Sequence, residues 1–513
     1  PLRPPAPSAH GPMLPCMPAS PAAAPSAHPT PAPAGPPAPV AAWLHRARAA
    51  IAAGHTADAL EALCAASAVD IQQHRQHYLA SAVQAGEVAD LYAQALAPIA
   101  AVAPPFQPPP PPSGQLRIAY LVPNLVQGQA ASLNVVRYAE CHDRDRFDVH
   151  AVITDELFAR TPPSPRLHLP SLTSSVAAGP LLSRLRAAAT VHLLPSTGDL
   201  LTASAAALRP LRALGFHAAI FVASPACPIQ ATLAALRLAP RQYNLNIGVP
   251  LLSPGIDAVI YNNHHRAEAD LPELTARKIA RHTALTAGGN AREIAARVAG
   301  LDRARIAAQF RATLDPAVPP DAPLLLSIAN QLPTRMLHGT FTADLARFLK
   351  AHPQAHFLAV GGQSEAYAPV LRQLASAGVA DRVRTLASQS DILPTLLAAD
   401  LLLNEYPEGG GNTVIEAMAA GLPVVALHAG ERHAEHIGAL LLGPQASRTH
   451  HDYWSAASAL LTDPGLRAAR AAEARDRALN ELDYTAITAC YQRILSGDLS
   501  QPPSHAAPLP TAA

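Results

Sequence analysis

The sequence predicts two doubly wound α/β domains in series, facing each other across a cleft and preceded by a small helical region. Three observations predict this. Short, continuous apolar runs alternate with helix-period segments twice over, between about residues 115 and 265 and again between about 321 and 460; covered parallel strands read as such runs. Proline-rich tracts, APPFQPPPPPSG at 103–114 and DPAVPPDAP at 315–323, separate these regions from what precedes them, because proline stops helices and holds extended spacers. Three consecutive glycines stand between a strand and a small-residue helix in LLLNEYPEGGGNTVIEAMAAGLPVVALHAG, 401–430. In doubly wound sheets such turns carry the ligand, beyond the carboxyl ends of the strands.

Composition narrows the class. The chain has 513 residues, of which 49% are hydrophobic and only 4% aromatic, with 53 prolines. This describes a folded protein with extended segments rather than a disordered chain. Lys plus Arg number 38 against 37 Asp plus Glu, a net charge of +1. That balance supplies no global field for nucleic acid or an anionic membrane. The 23 histidines are scattered without HExxH spacing, and the five cysteines (Cys16, Cys64, Cys141, Cys227 and Cys490) form no CxxC. The set argues against a disulfide scaffold or structural zinc and suits a reducing compartment. The first residues lack a basic start followed by an apolar core, and no 18-residue stretch is continuously apolar. A cytoplasmic protein without a transmembrane segment and without a nucleic-acid partner is expected; oligomeric state is not encoded in any feature of the chain.

In chain order, residues 1–40 read as a Pro/Ala-rich flexible tail, with too little apolar surface to offset the entropy of ordering it. Residues 41–102 read as helical. Trp43, Leu44, Ala47, Ala50 and Ile51 share a helix face, Gly54-His55-Thr56 makes a turn, and Ala59, Leu60, Leu63 and Cys64 share the next. A third and a fourth helix are expected within 71–99, punctuated by Gly86. The region resembles a tetratricopeptide-type hairpin, so it either docks a partner or caps the next domain. After the 103–114 linker, LRIAYLVP, FDVHAVIT, TVHLLP, HAAIFV, QYNLNI and DAVIYN are the strands of a first domain at 115–265. Residues 266–320 read as a helical connection. LLLSIAN, HFLAVGG, VRTLA, LLLNEY and LPVVALHAG are the strands of a second domain at 321–460, with helices at 341–351, 365–377, 391–398 and 415–420. Closing helices at 461–500 and a flexible tail at 501–513 complete the chain.

The glycine stretch carries the most chemistry. Gly409, Gly410 and Gly411 let backbone N–H groups turn toward an anion, and Asn412 and Thr413 are placed to cap the helix and donate to phosphate oxygens. No Walker lysine follows, and neither GxGxxG nor GxxxxGK[ST] opens the first domain. Glu408 lies before the loop. Glu416 lies a turn into the helix, suited either to accept from a ribose hydroxyl or to hold the loop. His428 follows the strand PVVAL and is a candidate sugar or phosphate contact.

The segment NEYPEGGGNTVIEAMAAGLPVVALHAGERHAEHIGALLL resembles the nucleotide-sugar site of two-domain GT-B glycosyltransferases, in particular the soluble protein O-GlcNAc transferase family and its bacterial protein-glucosylating relatives. The matching features are Pro407, Gly410-Gly411-Asn412-Thr413, Glu416-Ala417-Met418, Gly421-Leu422-Pro423-Val424-Val425 and Gly430-Glu431. SIANQLPTRM at 327–336 resembles the first strand and loop of the family's donor domain. Asn330 and Gln331 fit that pattern, whereas Thr334 stands where the family has a diphosphate-contacting lysine; Arg335, one residue on, supplies a cation there. The resemblance covers 321–500 well.

It implies a metal-independent transfer of a hexose or N-acetylhexosamine from a UDP-sugar to a peptide or protein side chain, with inversion. UDP-sugar is the donor substrate, and no permanently bound cofactor is implied. The helix dipole, backbone N–H groups and one cation can offset charge on the departing diphosphate. Inversion needs a proton acceptor near the nucleophile. On the acceptor side, Asn124, Gln127 and Gln129 lie in the first domain's leading loop, with Ser132 placed to cap the helix after it. His264 and His265 follow DAVIYNN, and His265 is the candidate base, with Gln331 and Arg335 as the catalytic candidates on the donor side. Two alternatives stay open: a retaining GT-B enzyme acting on a small molecule, lipid-linked sugar or glycan, to which the Glu408-to-Glu416 spacing also corresponds, and an inactive GT-B scaffold.

Overall fold

Apolar runs of a few residues, bounded by turns, become strands because both of their faces are covered. In the computed structural model, which describes residues 38–73, 78–125, 130–154, 179–194, 200–223, 226–245, 250–261, 271–284, 288–329, 332–407, 409–428 and 437–497, they form two parallel sheets. The first holds β1 (Leu116–Val122), β2 (Phe147–Ile153), β3 (Thr190–Leu193), β4 (Ala218–Phe221), β5 (Arg241–Leu245), β6 (Ala258–Tyr261) and β7 (Ala280–Thr283), in the order β3-β2-β1-β4-β5-β6-β7. The second holds β8 (Leu324–Ile328), β9 (His356–Val360), β10 (Val383–Leu386), β11 (Leu401–Leu403) and β12 (Val424–Val425), in the order β10-β9-β8-β11-β12. Strand order reverses between β1 and β4 in one and between β8 and β11 in the other, the crevices where doubly wound sheets receive ligands.

The expected fold class, two such domains after a helical region, is the one observed. Two details differ. β7 lies within the stretch read as a helical connection. It pairs with β6 alone, as an edge strand, with Ala280 and Arg281 exposed; such a strand needs no continuous apolar run to mark it. Among the described residues the N-terminal region has three helices, Ala38–Ala52, Thr56–Gln73 and Tyr78–Val102, where four were expected. Gly86 sits inside the third, its carbonyl accepting from Arg277 Nη2 at 2.6 Å, so tertiary contact outweighs its poor helix propensity.

Those three helices share a core with one face of the first sheet, where Leu44, Leu60, Leu63 and Tyr92 meet Leu121, Phe221 and Tyr261. The sheet's other face is covered by the helices Ala130–Cys141 and Pro180–Ala188 and, from the far end of the chain, by Tyr484–Ser496. Tyr484 and Tyr491 pack edge-on against Tyr138, and Tyr484 OH donates to Asn134 Oδ1 at 2.6 Å. The chain therefore leaves the second domain through the helix Pro464–Asn480 and returns to the first with the helix Tyr484–Ser496. This core continues into the second domain through Leu326, Ile328, Val414 and Ile415.

Candidate functional site

The second sheet's switch point is built by two neighbouring strands. β8 and β11 run parallel, Leu401 beside Leu325 and Leu402 beside Leu326. Beyond β11, the Asn404 N–H still donates to Val425 O at 2.9 Å, so the residue continues the ladder. Its side chain turns to the loop, where Oδ1 accepts from Gly410 N–H at 2.6 Å. Gly409 has φ of +66°, and a Cβ there would come within 2.7 Å of Asn404 Nδ2. Glycine is required at this position for conformation and for space together.

The helix Asn412–Ala419 begins at once. Its N-cap is Gly411, with no side-chain cap, which corrects the expectation that Asn412 and Thr413 cap it. Asn412 is the first helical residue, and Thr413 Oγ1 reaches back to Ile328 O at 3.4 Å, because the helix starts directly over the end of β8. Of the first-turn N–H groups, that of Val414 donates to Gly411 O at 3.0 Å, and no side chain caps the turn, so the N–H groups of Asn412 and Thr413 face the loop. Together with the dipole, this makes the turn an anion-binding end. The helix closes at Gly421, with φ of +72°.

Arg335 approaches from the helix Leu332–Leu337, which follows β8. Its Nη1 donates to Gly409 O at 2.7 Å and to Glu405 Oε1 at 3.0 Å. The guanidinium is 25% exposed and the Glu405 carboxylate 1%. The arginine thus ties the loop's start to its middle while part of the cation remains open to solvent.

A second carboxylate supports the loop from behind. Asp344 is buried; its Oδ2 accepts from Tyr406 OH at 2.6 Å and Thr340 Oγ1 at 2.7 Å, and its Oδ1 pairs with Arg347. His450 Nδ1 lies 3.6 Å from Oδ2. Burial pushes the Tyr406 phenol up to about 12, keeping it a donor, while Trp454 Nε1 donates to its oxygen at 2.8 Å. Tyr406 is the residue before Pro407, so this network fixes where the loop leaves the strand. Asn404, Glu405, Tyr406 and Asp344 were missed by sequence reasoning. A polar Asn-Glu pair directly after an apolar strand was the available signal for the first two; Asp344, on another helix, carried none.

Glu416 is half-buried on the helix face toward Ala291–Ala299. Burial, and then the Glu293 carboxylate, raise its pKa to about 7. His428, buried beyond β12, donates its N–H to Ser447 O at 2.8 Å. In the first domain Asn124 is buried beyond β1, its carbonyl accepting from Ser132 Oγ at 3.3 Å; Ser132 therefore sits inside the helix Ala130–Cys141 and reaches back to the loop. Gln127, Gln129, His264, His265, Asn330, Gln331 and Glu408 lie outside the described residues. The structure brings Arg335 to Gly409 and leaves Asn124 in the other domain. Among the described residues no group of three or more His, Cys, Asp and Glu could hold a metal ion, and no helix is long and apolar enough to cross a membrane.

Residues 323–463 match the family model described as glycosyl transferases group 1. The stretch runs from β8 to the helix His450–Thr462 and contains the whole loop, so the second domain is a glycosyltransferase domain. No curated protein matches the chain. Among solved structures, a mutant of the Thermobaculum terrenum O-GlcNAc transferase is similar at 18% identity and a TM-score of 0.55, over 89% of this chain and 84% of that one. A glycosyltransferase from Rickettsia africae ESF-5 is similar at 14% identity and a TM-score of 0.56, over 75% and 99%. Anabaena HepE in complex with UDP is similar at 18% identity and a TM-score of 0.53, over 74% and 100%. At these identities the likeness is one of fold, and that fold is GT-B.

Proposed function

We propose that the protein transfers a hexose or N-acetylhexosamine from a UDP-sugar to a peptide or protein side chain, with inversion and without a metal ion. One observation carries this reading: an uncapped helix N-terminus at the β8/β11 switch point, preceded by glycines and flanked by Arg335. That is a diphosphate clamp built from backbone and one guanidinium. The glycosyltransferase domain match and the fold shared with a UDP-bound protein support the donor class.

In the reaction, the bond between the anomeric carbon and the diphosphate oxygen breaks as the acceptor oxygen or nitrogen bonds to that carbon. The clamp offsets the charge gathering on the diphosphate, an effect needed most in the transition state. The acceptor's proton passes to a base on the first domain's side, where His264 and His265 are the candidates from sequence. Asn330, Gln331, Glu408 and His428 are proposed to complete the donor side, and Asn124, Gln127 and Gln129 the acceptor side.

Incubation with UDP-glucose or UDP-N-acetylglucosamine and a peptide set, read by mass and by anomeric NMR, tests this. The expected product is a peptide heavier by one sugar residue, with inverted configuration. A glycosylated small acceptor or glycan with retained configuration, beside unmodified peptides, overturns it in favour of the retaining reading that the Glu408-to-Glu416 spacing supports. Absence of UDP binding would favour the inactive scaffold.

A further inference from the structure

A cleft of about 670 Å³ lies at the opposite end of the second sheet from the loop, beside Asp400 and Pro423, which precede β11 and β12. Its walls are the helices Arg303–Thr313 and Pro464–Asn480. Each presents one face at helical spacing: Ala304, Ala307 and Ala308 from one, Arg467, Ala468 and Ala471 from the other. The floor is apolar and the charge is positive. Arg303, Arg311 and Arg467 line the cleft, and Asp400 is the one carboxylate among the lining residues.

That carboxylate is already engaged. Asp400 Oδ2 takes Arg311 Nη2 at 2.7 Å and the Leu324 N–H at 2.9 Å, while Arg311 spends its other donors on the carbonyls of Ala398, Pro320 and Ala322. The remaining guanidiniums have no carboxylate of their own in the cleft. Arg303 Nη1 makes a 3.3 Å bond to Ala420 O, and Arg467 makes bonds of 3.4 and 3.5 Å to the carbonyls of Leu460 and Leu461. Arg475 stands one turn beyond Ala471, with a buried Nε that meets no hydrogen-bond partner among the described residues. Burial lowers the pKa of Arg303, Asp400 opposes that shift, and the nearby Arg475 adds to it. Cations that outnumber the single carboxylate beside them in a partly desolvated site favour an anion.

We propose that this cleft binds a small organic phosphate, its phosphoryl group held by Arg303 and Arg467 of the lining, with Arg475 just outside it as a third cation, and its apolar part lying over Ala304, Ala307 and Ala471. Guanidinium forks match phosphoryl oxygens, and the alanine faces offer a shallow apolar bed that a bare phosphate cannot use. The site is separate from the donor clamp and stands whether or not that reading holds. It touches the same helix, since Arg303 holds the carbonyl just past Ala419.

Titration of the full chain with phenyl phosphate and with inorganic phosphate, read by calorimetry, tests the proposal. Phenyl phosphate is expected to bind about tenfold more tightly than inorganic phosphate. Arg475→Gln should weaken it about five- to tenfold, and Arg303→Ala by at least as much. Arg475→Gln breaks no hydrogen bond of Nε and keeps the test open if Arg303→Ala fails to fold. Arg335→Ala, at the donor clamp, should leave the affinity unchanged. The proposal is overturned if phenyl phosphate does not bind, if the two probes bind equally, if Arg475→Gln has no effect, or if Arg335→Ala abolishes binding.

Discussion

Asp344 shows how a single side chain outside the glycine loop governs it. A buried carboxylate is tolerated only when its lone pairs are used, and here Tyr406, Thr340 and Arg347 use them, with His450 beside. Asp344→Ala strands the Tyr406 hydroxyl and should lower stability by about 2–4 kcal/mol in denaturant melts; Tyr406→Phe should lower it by about 1–2 kcal/mol. Glu416 makes the opposite case. Its pKa in the folded protein, raised to about 7 from the ordinary 4.5 of a glutamate, means that the native state holds the proton more tightly than the unfolded chain. Stability is therefore greatest below the unfolded value and falls as pH rises through about 7. Glu416→Gln should stabilise the protein by about 1–3 kcal/mol at pH 8 and by little at pH 4, in paired melts. If the ionised carboxylate also accepts from the donor's ribose, the donor KM of the wild type should fall between pH 6 and 8, and the variant should flatten that profile. Gly409 is legible from sequence because glycine is the residue type that suits a φ of +66° with Asn404 so close. Asp344 is not, because its meaning arises only when the helix Phe341–Ala351 is brought beside Tyr406.

At the scale of elements, the helix Asn412–Ala419 is gripped at both ends. Its first turn faces the loop, Arg303 holds the carbonyl after its last residue, and the helix Ala291–Ala299 packs along its side. A Cβ on Gly289 would overlap Ile415 Cγ2, so Gly289→Ala pushes this helix away from its neighbour. A loss of about 1–3 kcal/mol is expected, read as a lower melting midpoint. Arg335→Lys keeps a positive charge but loses the planar guanidinium, whose other nitrogen can face phosphate oxygens while Nη1 holds Gly409 O and Glu405. It should weaken UDP binding about tenfold by calorimetry, while leaving the fold intact by circular dichroism. Most strands were legible, since short apolar runs between turns mark them wherever both faces are covered. β7 was not, because half of an edge strand looks like solvent. The helix start was legible to within a residue, yet its capping was misassigned: Thr413 has the chemistry of a cap, but β8 places a carbonyl where its hydroxyl goes instead.

At the scale of the molecule, the two domains are joined by more than the segment between β7 and β8. The helix Tyr484–Ser496 rests on the first sheet, and Gly289 exchanges backbone bonds with the turn before that helix, at 3.1 Å to Leu482 O and 3.2 Å from Tyr484 N. Asp483 adds a bond from the Arg292 N–H at 3.0 Å. Truncation after Asn480 would bare the Tyr138 cluster and should cause loss of cooperative unfolding, with binding of an apolar dye at a temperature where the whole chain binds none. Two passes of the chain lying side by side across one junction also set what motion is available. A single linker would let the domains twist or slide. A doubled one acts like the leaf of a door fixed at two knuckles: it resists twist and slide, so the softest movement expected of one domain against the other is a bend about this junction.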